Sequence, residues 1–196
     1  MMPKENKDLI EQIKENIDRN IDGEKFDVKL HENILSKPKK ENEKIRRHVN
    51  SFQVDLAIKA KDLEEEPVVL VVIEVKGSKQ ITTHEVITYS SKSRKHKTVF
   101  PWLRYGMIWS SPRNRENGIP MRFLKNNENN MDFAYNFESN VSGNFNNFFE
   151  NILKKQIDIS RMLYGLYNGK YNNIEYLSVN IDFGSKFKKK GGKKVE

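Results

Sequence analysis

The chain has 196 residues, enough for one domain of ordinary size with a core that needs no covalent staples. It has no cysteine, which excludes a disulfide scaffold, thiolate metal sites and cysteine nucleophiles, and His31, His48, His84 and His96 fall into no zinc-type spacing. Of the net charge of +8, +5 comes from the six lysines and one glutamate of residues 186–196, which read as a flexible basic tail, so the global charge alone says little about a partner.

In chain order, Leu9, Ile10, Ile13, Ile17 and Ile21 recur at helical spacing and predict a helix over 6–21, stopped by Gly23. Phe26, Val28, Leu30 and Ile34 alternate and predict a strand over 26–35. Residues 36–50 are polar and basic, with Pro38, and read as a long loop. Val54, Leu56 and Ile58 alternate in a second strand, and the acidic stretch from Asp62 to Pro67 is a turn. Val68 to Val75 is continuously apolar and rich in β-branched residues, which predicts a central strand buried on both faces. Thr82 or Thr83 can cap a helix running to Lys95, with Glu85 in its first turn. Tyr105 to Trp109 predicts another strand, with Trp102 and Trp109 as core residues. Residues 113–147 are rich in Asn and Gly and give no clear assignment. A helix is predicted over 148–166 and a late strand over 174–183. This order predicts an α/β domain with a mixed central sheet flanked by helices. The longest apolar run, Pro67 to Ile73, is far short of the roughly 20 residues of a membrane span, and the charged N-terminus shows no secretory pattern. The expectation is a soluble cytoplasmic protein.

The residues that carry chemistry are acids and a lysine inside apolar strands. Glu74 and Lys76 are two apart at the end of the central strand, so they point to one side. Asp55 lies between Val54 and Leu56 in the preceding strand. A hairpin folded about residue 64 or 65 brings Asp55 opposite residue 74. Burying such charges costs several kcal/mol unless they are paired or bind an ion. Two carboxylates and a lysine at one place suit a hard divalent cation such as Mg²⁺, with the lysine acting on a water or on developing phosphate charge. The plainer alternative is a buried salt bridge, or strand-end charges that are simply solvated.

Val54-Asp55, followed after the turn by Ile73-Glu74-Val75-Lys76-Gly77, resembles the signature of the PD-(D/E)xK nuclease superfamily, which has the restriction-endonuclease-like fold. The element order helix, three antiparallel strands, helix, strand is similar to that family's core over residues 1–112. Where the family has a proline before its first aspartate, this chain has Val54. The resemblance implies that Asp55 and Glu74 bind Mg²⁺, with Mn²⁺ able to substitute, and that Lys76 assists the hydrolytic water. Many members carry an upstream glutamate near the metal. Glu32, the odd acid on the apolar face of the first strand, is the candidate, with a rim position as the alternative; Glu11 and Glu15 read as surface residues. Gln80 matches a polar position that some members place after the lysine.

Arg46 and Arg47, just before the Asp55 strand, and Lys92, Arg94 and Lys95, after the catalytic strand, are candidate contacts to a nucleic-acid backbone, against the alternative of ordinary solvated surface. Tyr89 reads equally as core or site. The leading expectation is a Mg²⁺-dependent endonuclease on double-stranded DNA, of type II restriction kind. Residues 113–185 would serve recognition or dimerisation, and a homodimer would cut both strands. The alternatives are a structure-specific repair or recombination nuclease of the same superfamily, a non-catalytic nucleic-acid-binding protein with this fold, and an unrelated α/β domain whose acids form internal salt bridges.

Overall fold

The computed structural model describes residues 4–37, 50–77, 81–110, 121–128, 130–137 and 141–169. Helix α1 (Lys4–Asn20) buries Leu9, Ile10, Ile13 and Ile17, the stripe set by their spacing. Strands β1 (Phe26–Leu30), β2 (Asn33–Leu35), β3 (Ser51–Gln53), β4 (Leu56–Ala60) and β5 (Val68–Lys76) follow. Then come α2 (Thr83–Val99), β6 (Arg104–Trp109), α3 (Met121–Asn126), β7 (Phe133–Asn136), α4 (Val141–Phe148), a π-helical turn (Phe149–Leu153) and α5 (Lys154–Tyr167).

The main sheet is mixed and has five strands in the order β1-β4-β5-β6-β7. β1, β4 and β5 pair antiparallel, whereas β6 and β7 join parallel, β6 after the α2 crossover. β5 is central and buried on both sides, as its apolar run predicts. One face of the sheet carries Leu56, Ile58, Ile73 and Ile108 under α1, α4 and α5. The other carries Ala57, Val72, Tyr105, Met107 and Trp109 in a second cluster with Val86 of α2 and Phe123 of α3. Trp109 is fully buried in that cluster, as expected of a core residue, while Trp102 is half-buried against the first.

One predicted strand is divided, and the next starts two residues late behind a short strand that the alternation does not indicate. The strand expected over 26–35 breaks at His31, whose φ of 51° is left-handed. The strand expected from Val54 begins only at Leu56, and Val54-Asp55, directly across from the break at His31, separate it from β3. The pairing continues through the break with its register unchanged: Leu30 faces Leu56 and Asn33 faces Gln53. His31 N–H donates to Asp55 O at 3.0 Å and Val54 N–H donates to Glu32 O at 2.9 Å. Thus β2 and β3 are the bent end of the β1–β4 ribbon, forming a separate two-stranded sheet, and Asp55 sits at the bend. A second irregularity lies in β5. Ile58 faces Val71 but Lys59 faces Val69, so Leu70 is the extra residue of a bulge. The bulge shifts the alternation, sending Leu70 and Val71 to one core and placing Val72 on the other side.

The helix predicted after the central strand is capped by a complete capping box, Thr82 with Glu85, and runs four residues past its predicted end at Lys95, to Val99. The helix predicted over 148–166 is present but broken by the π turn. The unassigned stretch before it holds α3, β7 and α4, and β7 extends the main sheet rather than forming a separate unit. The late strand, Arg46, Arg47, Gln80 and the lysine tail lie outside the described residues. No described helix is long and apolar enough to cross a membrane.

Candidate active site

The hairpin pairs Leu56 with Ile73, so the next position outward puts Asp55 across from Glu74. Because β4 turns away at Asp55, its backbone no longer continues the ladder. The side chain takes over: Asp55 Oδ2 accepts the Val75 N–H at 2.8 Å. Glu74 and Lys76 follow Val72 at the two-residue period, on the sheet face that α2 covers.

Glu74 is almost wholly buried, at 2% exposure. Its Oε1 accepts a hydrogen bond from the Tyr105 hydroxyl of β6, and the Lys92 ammonium of α2 stands 3.4 Å away. Burial pushes the Glu74 carboxyl up to about 7; the Asp55 charge adds to the rise, while Lys92 and Tyr105 oppose it. Burial also raises the Tyr105 hydroxyl well above its ordinary range, so it stays a donor. Lys76 is a quarter exposed and pairs with Glu85 at 3.3 Å. Burial works to lower its ammonium, but Tyr89 and Glu85 together outweigh it and hold it above the ordinary lysine range. The Tyr89 ring lies under both lysines, 4.9 Å from Lys92 Nζ and 5.3 Å from Lys76 Nζ, and burial pushes its hydroxyl up to about 12.

Asp55, Glu74 and Lys76 therefore share one face at the adjoining ends of β4 and β5, as the hairpin spacing anticipates. Glu32 lies next to the bend, its main-chain oxygen accepting the Val54 N–H beside Asp55. The break at His31 interrupts the alternation of that strand, and the Glu32 carboxylate pairs with Lys59 of β4. Lys92, taken from sequence as a backbone-phosphate contact, instead reaches inward to Glu74, whereas Arg94 and Lys95 are exposed on α2. Lys95 lies over the Phe52 ring at 5.2 Å.

Tyr105, Tyr89 and Glu85 complete the site, and sequence reasoning gave none of them a firm place in it. A signal existed for two. Glu85, Tyr89, Lys92 and His96 fall at i, i+4, i+7 and i+11, one stripe of α2 turned to the sheet. Behind the site, His96 stacks on Tyr105 with ring centroids 5.8 Å apart. Burial lowers it to about 4, so it is a neutral ring with Nδ1 against Leu35 O at 2.8 Å.

Among the described residues no cluster of three or more His, Asp or Glu could hold a metal. The pair Asp55 and Glu74 nevertheless fits a cation of the Mg²⁺ kind, which keeps several waters and is held by one or two carboxylates. Among the described residues, each carboxylate is engaged through one oxygen. Of the two, Glu74 is buried and Asp55 half-buried, and it is chiefly burial that raises the Glu74 carboxyl, with the Asp55 charge adding to it. The chain was compared with protein-family models, with curated proteins and with solved structures, and it matches none of them.

Proposed function

We propose that the chain is a Mg²⁺-dependent endonuclease of the PD-(D/E)xK kind, with a restriction-endonuclease-like core, hydrolysing phosphodiester bonds of double-stranded DNA. The observation that carries this reading is the convergence of Asp55, Glu74 and Lys76 on one face of the sheet, at the end of β5, with the Glu74 carboxyl buried among them. Asp55 and Glu74 would hold the ion, which when bound supplies charge neutralisation at the phosphate and a more acidic water. Lys76, protonated and backed by Glu85 and Tyr89, is placed to stabilise developing anionic charge. Arg94 and Lys95 present exposed cations suited to backbone phosphates. Cutting both strands would need two such sites, hence a homodimer. A type II restriction enzyme is the leading form; a structure-specific repair or recombination nuclease would share the same chemistry.

One observation favours a second reading, a non-catalytic DNA-binding domain. Every carboxylate here has an internal partner: Val75 N–H for Asp55, Tyr105 and Lys92 for Glu74, Lys76 for Glu85. The readings separate in a cleavage assay. Wild type and Glu74→Ala are incubated with long unmethylated duplex DNA and with a branched junction, with Mg²⁺ and with chelator. Discrete duplex fragments, lost with chelator and in the variant, support the restriction form. Cutting of the junction alone supports the repair form. Binding without cutting supports the non-catalytic reading.

A further inference from the structure

Lys92 stands in the site without a place in the chemistry just described. Its Nζ is 3.4 Å from Glu74 Oε1, longer than the 2.7 Å and 2.9 Å of the ion pairs that Lys97 and Arg104 make with Asp132. The Lys92 side chain is 24% exposed and that of Glu74 3%, so the cation has a way to solvent that the carboxylate lacks. The same ammonium lies 4.9 Å from the centre of the Tyr89 ring, which also attracts Lys76. It therefore has a second resting place one short movement from Glu74. A divalent ion on the carboxylate pair would stand within a few ångströms of this ammonium, where like charges repel strongly.

We propose that Lys92 is the resident counter-cation of Glu74, a placeholder that a divalent cation displaces when it binds Asp55 and Glu74. Without metal it compensates a carboxylate that is out of reach of water. With metal it moves off Glu74 along Tyr89, bringing a second cation beside Lys76 where a phosphate can use it. The inference rests on the metal reading of the site. It makes Lys92 a positioning residue that sets metal affinity and ties loading of the ion to exposure of an anion-binding group.

The test is Mn²⁺ binding to the full chain, by calorimetry and by paramagnetic relaxation of water protons, for wild type, Lys92→Met and Lys92→Arg. Melting curves are recorded with and without the ion. Lys92→Met removes the charge and keeps the bulk. It should bind Mn²⁺ about tenfold or more tightly than wild type, because a unit charge a few ångströms away no longer opposes a divalent ion. It should also melt earlier than wild type without metal and recover with it. Lys92→Arg should stay close to wild type. Unchanged or weaker binding by Lys92→Met overturns the placeholder role and leaves the metal site standing. So does a loss of folding that the ion does not rescue. Binding by Lys92→Met but not by wild type would make Lys92 a fixed counter-cation that the ion does not displace, and overturns both the placeholder role and the nuclease reading. No binding by either chain overturns both.

Discussion

The Asp55 carboxylate stands in for main chain, accepting the Val75 N–H at 2.8 Å where β4 has bent away from β5. This gives Asp55 a structural duty besides the proposed chemical one, and two substitutions separate them. Asp55→Asn keeps an acceptor oxygen for Val75 and should hold stability within about 1 kcal/mol of wild type, whereas Asp55→Ala leaves the N–H unmet and should cost roughly 1–3 kcal/mol. Both should lose Mn²⁺ binding, because both lose the charge. Denaturant unfolding and calorimetry check this pair. An Asp55→Asn chain that binds the ion like wild type would leave Asp55 with the structural duty alone.

The buried Glu74 carboxyl gives a pH dependence whose sign is fixed. Its ordinary value is 4.5 and burial pushes it up to about 7, so between these values the folded chain keeps a proton that the unfolded chain has lost. Stability contributed by Glu74 is then full below about pH 4.5 and falls as pH rises to about 7, on the order of 3 kcal/mol in all. His96 works oppositely: lowered from 6.5 to about 4, it adds stability as pH rises through that interval. The two nearly offset in wild type. Glu74→Gln isolates the first. Without metal it should be the more stable chain at pH 8, with the gap closing toward pH 4. A gap that does not vary with pH would contradict the buried ionisable state of Glu74.

The sheet also makes a prediction independent of the site. Gly106 of β6 lies against the Phe133 ring of β7, where an added Cβ would collide with the ring. Gly106→Ala should cost roughly 1–3 kcal/mol by forcing Phe133 from its place in the core, as overpacked interiors do. An unchanged unfolding midpoint would show that β7 pairs more loosely than this arrangement.

Much of this fold is written in local pattern. The apolar stripe of α1, the continuous run of β5 and the Thr82–Glu85 box each speak through a few neighbouring residues. The approach of Asp55 to Glu74 was legible too, because a short turn fixes hairpin register. What was not legible depends on contacts distant in sequence. Alternation alone gave no sign of the break at His31, and the bulge at Leu70 is equally silent in an unbroken apolar run. Tyr105 reaches Glu74 only because β6 lies parallel beside β5, a pairing made across the α2 crossover. Lys92 looked like one of a surface cluster, although its spacing from Glu85 and Tyr89 put it on the inward stripe.

The most direct measurement of the central claim is nicking of supercoiled plasmid DNA by wild type, Glu74→Gln and Lys76→Ala, followed at pH 8 with Mg²⁺ and with chelator. The expected result is cleavage by wild type that needs the ion. Glu74→Gln should be silent, and Lys76→Ala should be at least about 10²-fold slower while staying folded and bound to DNA, as befits loss of a group that stabilises developing charge. Cleavage by Lys76→Ala at the wild-type rate, or by wild type in chelator, would contradict the account.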